Sequence, residues 1–256
     1  MLRKCDAIVA EDTRVTARLL ALHGISRPLL IYNEHNAAAV EAKLLQRLRA
    51  GERLALVGDA GTPLISDPGL RLVKAARDEG LPVFPVPGPS AVIAALSAAG
   101  IPAIPFLFAG FLPPRHGERR SALKHLRAVT ATLVFFESPQ RLCESLADMA
   151  ELLGDRDACV AREITKLHEE MRRGSLRQLQ DHYSISPPRG EVVVIVAPGQ
   201  NEGPDPALID SLLRQALPFM PVKAAAALIA EATQAGRRTI YDRALALGGR
   251  GDGTGD

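Results

Sequence analysis

Gly58–Gly69, the stretch GDAGTPLISDPG, determines how the fold of this chain is interpreted. It follows the short apolar run Leu54–Val57 and precedes the amphipathic segment Leu70–Glu79. A strand, a glycine-rich loop and a helix in this order predict an α/β sheet that binds its ligand at the carboxyl end of the strand. The loop has no lysine and no GxGxxG spacing, which excludes a triphosphate P-loop and leaves a dinucleotide fingerprint unsupported. A glycine-rich turn with capping Asp and Ser residues is the alternative interpretation.

Short apolar runs alternate with amphipathic stretches on both sides of this loop. The predicted strands are Ala7–Ala10, Leu29–Tyr32, Leu54–Val57, Val83–Val86, Thr132–Phe136, Ala158–Arg162 and Val192–Ala197. The predicted helices are Thr13–Leu22, Ala37–Arg49, Leu70–Glu79, Ala91–Ala99, Gln140–Leu153, Ala207–Leu217, Lys223–Gln234 and Tyr241–Leu247. This βαβα rhythm predicts an α/β protein with a mostly parallel sheet covered by helices.

Two stretches rich in proline and glycine, Gly110–Pro114 and Pro198–Pro206, are typical of linkers. They predict an N-terminal α/β domain over 1–112, a C-terminal α/β domain over 113–200 and a small helical extension over 204–247. The Gly/Asp-rich tail, 248–256, is expected to be disordered.

Composition narrows the classes of function. The chain has 256 residues, of which 47% are apolar, and its net charge is only +2. These values exclude a wholly disordered chain and a polybasic nucleic-acid binder. The three cysteines lie far apart, the six histidines show no metal-ligand spacing, and no apolar run reaches transmembrane length. We therefore expect a reduced cytoplasmic protein without a metal or a membrane partner.

Polar residues follow several of the predicted strands. The four segments are AEDTR at 10–14, VPGPSA at 86–91, FESPQR at 136–141 and REITK at 162–166. Residues at these positions can line a cleft at the carboxyl edge of a sheet. They can equally cap the helices that follow or form structural Glu–Arg pairs, and the residues alone leave these alternatives open.

Basic residues cluster after the first linker and again near the C-terminus. The first group contains Arg115, Arg119, Arg120, Lys124, His125 and Arg127, and the second contains Lys223, Arg237, Arg238 and Arg243. Arginine and lysine in such groups suit contacts with RNA phosphates. A solvated helix face is the alternative explanation.

In chain order, AEDTR, LVGDAGTPLISDPG, VPGPSAVIAALSAAGIP, FAGFLPPR, FFESPQRL and AREITK resemble the RsmI family of small-subunit rRNA 2′-O-methyltransferases. That family is similar in fold to the tetrapyrrole methylases, and the resemblance covers nearly the whole chain. It implies two α/β domains with S-adenosylmethionine (AdoMet) in the cleft between them, and a homodimer. The implied reaction is 2′-O-methylation of a decoding-centre cytidine in the 16S rRNA of the 30S subunit.

The resemblance also implies roles for individual residues. The cofactor would contact Asp59, Ala60, Gly61, Thr62, Ile65, Ser90, Ala91, Glu137 and Ile164. Position and chemistry make Glu11, Asp12, Glu163 and Lys166 candidates for a base, and Arg14 or Arg162 could orient the ribose or hold a phosphate. The RNA would approach along Arg115, Arg119, Arg120, Lys124 and Arg127 and along the C-terminal helices.

One departure concerns the N-terminus. The family begins with a strand, a loop resembling ATPIGNL and a first helix, whereas Met1 here aligns within that helix. We therefore expect an open sheet edge and a weakened cofactor site, and an upstream-extended form to be more stable and more active. Two alternative functions remain open at this stage: a methyltransferase for tetrapyrroles, and an inert module that binds AdoMet or RNA.

Overall fold

The computed structural model describes residues 1–33, 35–199, 206–233 and 235–248. The chain separates into two compact units, Met1–Pro198 and Gly199–Asp256. The predicted disordered tail lies outside the described residues except for Gly248, as does most of the second predicted linker.

The first sheet of unit 1 is parallel and has three strands. After a 3-10 turn at Leu2–Lys4 come β1 (Ala7–Ala10), α1 (Thr13–Leu22), β2 (Leu29–Ile31), α2 (Ala37–Arg49), β3 (Leu54–Val57), α3 (Leu70–Asp78) and α4 (Ala91–Ala98). The strand order is β2–β1–β3, so β1 is central. All four side chains of β1 are fully buried, which explains why this run is continuously apolar.

Both faces of this sheet are covered by apolar side chains. Val9 packs with Leu44 of α2 and Leu72 of α3 on one face. Ile8, the neighbouring residue in β1, packs with Leu20 of α1 on the other face. Successive side chains of a strand point to opposite faces, so β1 is held between two helical layers.

The outer edge of β3 corrects one prediction. Val83–Val86 does not form a strand, although its sequence is apolar. Within the described ranges β3 pairs only with β1, so no strand pairs with Val83–Val86. Val83 packs against the core instead, whereas Phe84 and Val86 are 76% and 61% exposed. Within the described residues, the outer edge of β3 is therefore not paired with another strand.

The second sheet of unit 1 has five strands and is mixed. Its elements are β4 (Phe106–Phe111), α5 (His116–Leu126), β5 (Thr132–Glu137), α6 (Leu142–Leu153), β6 (Asp157–Arg162), β7 (Glu170–Ser175), α7 (Leu176–Ile185) and β8 (Val192–Val196). The order is β4–β5–β8–β6–β7, and only the β4–β5 pair is parallel. The prediction of a mostly parallel sheet therefore holds for the first sheet alone. The second sheet begins at Phe106, before the boundary predicted at residue 112.

The register of the second sheet brings several strand ends to one edge. Glu137 at the end of β5 and Arg162 at the end of β6 both lie opposite Val192, the first residue of β8. Phe111 at the end of β4 lies opposite Phe136 in β5. The segments after β4, β5 and β6 and the segment before β8 are therefore neighbours.

Helix α4 connects the two halves of unit 1. Its residues Val92, Ala95 and Leu96 pack against Val134 of β5 and Ile195 of β8 in one apolar cluster. On the opposite face of the second sheet, α6 and α7 cover a larger cluster, in which Phe135 and Leu146 are among the fully buried residues. The start of α4 is thereby fixed relative to the second sheet.

Unit 2 is helical over its described residues. It contains α8 (Pro206–Ala216), α9 (Val222–Thr233) and α10 (Arg237–Gly248), packed around Leu213, Ala225 and Ile240. Arg243 forms an ion pair with Asp210 and so joins α10 to α8. No helix in the described ranges is both long enough and apolar enough to cross a membrane.

Candidate functional site

The loop between β3 and α3 has an unusual backbone. Gly61 and Gly69 have φ values of +68° and +135°, and two residues with side chains, Leu64 and Ser66, have φ values of +73° and +65°. Left-handed residues other than glycine cost free energy and concentrate at ligand sites. At Gly69 a Cβ atom would lie 2.8 Å from a Leu56 side-chain atom, so the loop depends on glycine there.

Contacts hold this loop against three other segments. The hydroxyl of Thr62 donates to the carbonyl oxygen of Pro89, 3.1 Å away, just before α4. A Cβ atom at Gly110 in β4 would lie 3.5 Å from the hydroxyl of Ser66, so the loop reaches the second sheet. The N–H of Asp12, after β1, donates to Asp59 Oδ1 at 3.2 Å. The predicted cofactor loop therefore lies where both sheets meet.

The helix-entry motif forms as a capped turn. Ser90 is the N-cap of α4, and its hydroxyl accepts a hydrogen bond from the N–H of Ile93 at 3.4 Å. Ala91 is the first residue of the helix. The capping alternative is thus correct for the Ser90 side chain, and the Thr62–Pro89 hydrogen bond brings this turn next to the cofactor loop.

Three carboxylates gather around the end of β3. The charges of Glu11 and Asp59, together with burial as the largest cause, raise the pKa of Asp67 to about 6. A Cβ atom at Gly58 would lie 3.2 Å from Asp67 Oδ2, so the carboxylate rests against the backbone where β3 ends. Acids gathered in this way suit a cationic ligand, and a carboxylate with a pKa near 6 can accept a proton at neutral pH.

In the AEDTR motif, Asp12 both caps a helix and forms an ion pair. The Asp12 carboxylate accepts a hydrogen bond from the N–H of Arg14 at 2.8 Å and so caps α1. It also accepts from the Arg14 guanidinium, and these hydrogen bonds lower the pKa of Asp12 to about 2. A carboxylate with so low a pKa is a poor base. Arg14 is 89% exposed beyond this ion pair.

Glu137 is buried and its carboxylate is fully engaged. It accepts hydrogen bonds from the Ser145 hydroxyl at 2.6 Å and from the N–H of Ser138 at 2.7 Å, and it pairs with Arg141 at 2.7 Å. Arg141 also donates to the carbonyl oxygen of Leu112 at 3.3 Å, which ties the end of β4 to the end of β5. Any contact of Glu137 with a ligand would therefore come from its backbone.

The REITK motif forms a tight turn after β6. Its lysine, Lys166, pairs with the Glu163 carboxylate at 2.8 Å and with Glu191 at 3.0 Å. These hydrogen bonds lower the pKa of Glu163 and raise the pKa of Lys166. Both groups are therefore charged at neutral pH and are weak proton acceptors. Ile164 lies between them in sequence and packs against the cluster below α4.

The predicted RNA-contacting residues of α5 separate into two groups. Arg119 is only 2% exposed and donates to Asp148 of α6 at 2.6 Å, and Arg120 pairs with the same carboxylate. This placement corrects the expectation for Arg119, whose guanidinium joins α5 to α6 instead of facing solvent. Arg115, Lys124 and Arg127 are exposed, as the prediction requires.

Sequence reasoning overlooked several residues of this region. Asp67 is not among the residues that the sequence assigns to the site, because its proximity to Glu11 depends on the pairing of β1 with β3. Gly190 and Glu191 are not assigned to the site either, although the sequence PRGE immediately before the predicted strand Val192–Ala197 is a usable signal. Within the described residues, no group of His, Cys, Asp and Glu side chains has an arrangement that could hold a metal ion.

Comparison with known proteins assigns this architecture to a class. Residues 1–180 match the family model of Tetrapyrrole (Corrin/Porphyrin) Methylases, and residues 203–248 match that of the RsmI C-terminal HTH domain. Among solved structures, diphthine synthase has a TM-score of 0.59 at 15% identity, covering 77% of this chain and 81% of its own. A cobalt precorrin-4 methyltransferase has a TM-score of 0.55 at 19% identity, covering 77% of this chain and 85% of its own. The fold and site thus define a methylase of the tetrapyrrole-methylase class.

Curated relatives narrow the assignment. The protein of Mesorhizobium japonicum named ribosomal RNA small subunit methyltransferase I is 49% identical over 98% of this chain and 87% of its own length. Proteins of the same name from Xylella fastidiosa and Pseudomonas aeruginosa are 46% and 44% identical, over 94% and 98% of this chain and 90% and 91% of their own lengths. The chain belongs to the family of ribosomal RNA small subunit methyltransferase I.

Proposed function

We propose that this protein transfers a methyl group from AdoMet to the ribose 2′-oxygen of a decoding-centre cytidine in 16S rRNA. The observation that carries the proposal is the strained loop 58–69, which is fixed where the two sheets of unit 1 meet. Its own Asp59 and Asp67 lie near Glu11. Family membership supports the reaction class, because the relatives are named for methyl transfer to small-subunit rRNA.

The chemistry of the loop fits AdoMet. The cofactor carries a positive sulfonium that makes its methyl group electrophilic, and three nearby carboxylates suit that charge. The left-handed turns at Gly61 and Gly69 expose backbone where a ligand can approach closely. Asp59, Ala60, Gly61, Thr62 and Ile65 of this loop would hold the cofactor, together with Ser90, Ala91, Glu137 and Ile164.

The chain's own groups must position the ribose hydroxyl and accept its proton. Holding the hydroxyl in line with the methyl group supplies much of the acceleration. Of the proposed bases, Asp12, Glu163 and Lys166 are committed to ion pairs. We assign proton acceptance to Glu11 with its neighbour Asp67, whose pKa of about 6 suits that role.

The exposed cations would guide the RNA. Lys124 is exposed on α5, and Arg115 and Arg127 are exposed at its two ends. Arg237 and Arg238 are exposed at the start of α10 in unit 2. Phosphate contacts from such residues position RNA without reading its sequence. A homodimer acting on 30S subunits in the cytoplasm completes the proposal.

Methyl-labelled AdoMet incubated with 30S subunits that lack the modification tests the proposal. We expect label in 16S rRNA, mapped to one decoding-centre ribose by primer extension. Free 16S rRNA and a tetrapyrrole acceptor form the comparison arms, since the similar solved structures share only a fold with this chain. Label on the tetrapyrrole alone would favour the alternative acceptor. AdoMet binding without transfer to any acceptor would favour an inert module.

A further inference from the structure

The turn after β6 is strained on both sides of Ile164. Glu163 and Thr165 have φ values of +47° and +66°, in the left-handed region that favours glycine. Two such residues in one turn require the surrounding structure to compensate for their cost. Contacts with neighbouring residues must therefore stabilise this turn.

Hydrogen bonds from Lys166 and Glu191 stabilise this turn around the Glu163 carboxylate. Glu163 Oε1 accepts hydrogen bonds from Lys166 Nζ at 2.8 Å and from the N–H of Glu191 at 2.9 Å. The N–H of Glu163 donates to the carbonyl oxygen of Glu191 at 2.9 Å, and Lys166 Nζ donates to Glu191 Oε2 at 3.0 Å. Glu163, Lys166, Gly190 and Glu191 are called the β6 latch below.

Gly190 makes this arrangement possible. Its φ is +89°, and a Cβ atom there would lie 2.3 Å from both Cδ and Oε1 of Glu163. The carboxylate occupies the space that any other side chain would fill. An alanine would displace the end of a flexible side chain, so its first effect is to open the latch.

We propose that the β6 latch positions Ile164 at the methyl-donor site, with Glu163, Lys166, Gly190 and Glu191 as positioning residues. This inference rests on the proposed function, which places Ile164 among the residues that contact AdoMet. The latch ties the turn after β6 to the entry of β8, so Ile164 is fixed from two strands. A site held in advance spares the ligand the cost of ordering the turn.

Gly190→Ala and its matched control Gly154→Ala separate this role from backbone strain. Gly154 has a φ of +90°, nearly that of Gly190, but a Cβ atom there would meet nothing within 4 Å. Calorimetric binding of S-adenosylhomocysteine to the full chain is the readout, with the melting temperature measured in parallel. We expect Gly190→Ala to weaken binding about tenfold relative to Gly154→Ala, at similar melting temperatures.

Lys166 provides a second test that does not depend on the glycine. Its side chain is 45% exposed, so Lys166→Met should leave the fold intact while removing the cation. We expect Lys166→Met to weaken binding and Lys166→Arg to restore it. The inference is overturned if Gly190→Ala binds as tightly as Gly154→Ala, or if Lys166→Met binds as tightly as the unaltered chain. Failure of the unaltered chain to bind the probe would overturn the proposed function itself.

Discussion

Replacing Asp67 by asparagine should stabilise the fold and weaken the enzyme. Burial and the charges of Glu11 and Asp59 raise the pKa of Asp67 from its ordinary value of 3.8 to about 6. A rise of this size corresponds to about 3 kcal/mol between the two protonation states. Because the side chain is partly exposed, screening by water reduces the effect, and we expect about 1 kcal/mol.

The stabilisation of the fold by Asp67→Asn should increase as the pH rises. Since the pKa is higher in the folded state than in the unfolded state, the ionised carboxylate destabilises the fold fully only above about pH 6. The destabilisation decreases as the pH falls and is absent below about pH 4, where both states are protonated. Asp67→Asn should therefore raise the melting temperature by about 2–4 °C at pH 8 and leave it unchanged at pH 4.

Thermal unfolding followed by circular dichroism between pH 4 and 8.5 measures this difference. Asp78→Asn is the control, because Asp78 is an exposed acid paired with Lys74 on α3 and should change stability by no more than about 0.5 kcal/mol. Methyl transfer should fall in Asp67→Asn at the same time, because the substitution removes a carboxylate to which we assign proton acceptance. Residues that serve activity often reduce stability. A loss of stability at pH 8, or a gain of equal size at pH 4, would refute the reasoning.

Three further predictions concern single side chains. Arg119→Met should lower the free energy of unfolding by about 1–3 kcal/mol in urea titrations, because the buried Asp148 carboxylate loses its shortest ion pair and keeps Arg120 and His116 nearby. Lys124→Met on the same helix should leave stability nearly unchanged but weaken RNA binding in filter assays and lower its salt dependence; an unaltered salt slope would count against a phosphate contact. Ser145→Ala should cost about 1–3 kcal/mol, since the buried Glu137 loses a hydrogen-bond donor, and unchanged unfolding by urea would contradict this.

The sequence was most informative where burial is complete. Ala7–Ala10 is predicted with its observed bounds, because a short continuous apolar run is what a fully buried central parallel strand requires. Leu54–Val57 is also predicted with its observed bounds, although β3 is an edge strand and only partly buried. Val83–Val86 has the same kind of sequence but forms no strand. A strand depends on a neighbour that supplies hydrogen bonds, and pairing of this kind is not visible in a local pattern.

The sequence did not predict helices α5 (His116–Leu126) and α7 (Leu176–Ile185). Two strands were also missed, for opposite reasons. Phe106–Phe111 forms β4, but the glycine and prolines that follow its start suggested a linker. Glu170–Ser175 (EMRRGS) forms β7 although it is polar, because it is an edge strand paired only with β6 in the described structure. An edge strand needs few apolar side chains, so its sequence resembles that of a loop.

The position of the candidate site could be predicted from the sequence. The hydrogen bonds and ion pairs within the site could not. The motifs place polar groups at strand ends, and the sheet registers bring those ends together. Which carboxylates become engaged is decided by contacts between residues distant in sequence. Examples are Glu163 with Gly190 and Asp67 with Glu11.

Identification of the modified nucleoside tests the central claim most directly. After reaction with AdoMet, 16S rRNA from the 30S subunits would be digested to nucleosides and analysed by mass spectrometry against the untreated subunits. The account predicts a gain of about one 2′-O-methylcytidine per 16S rRNA, with no gain of a base-methylated nucleoside. Methylation on a base, or no new methylated nucleoside although the protein binds AdoMet, would contradict it.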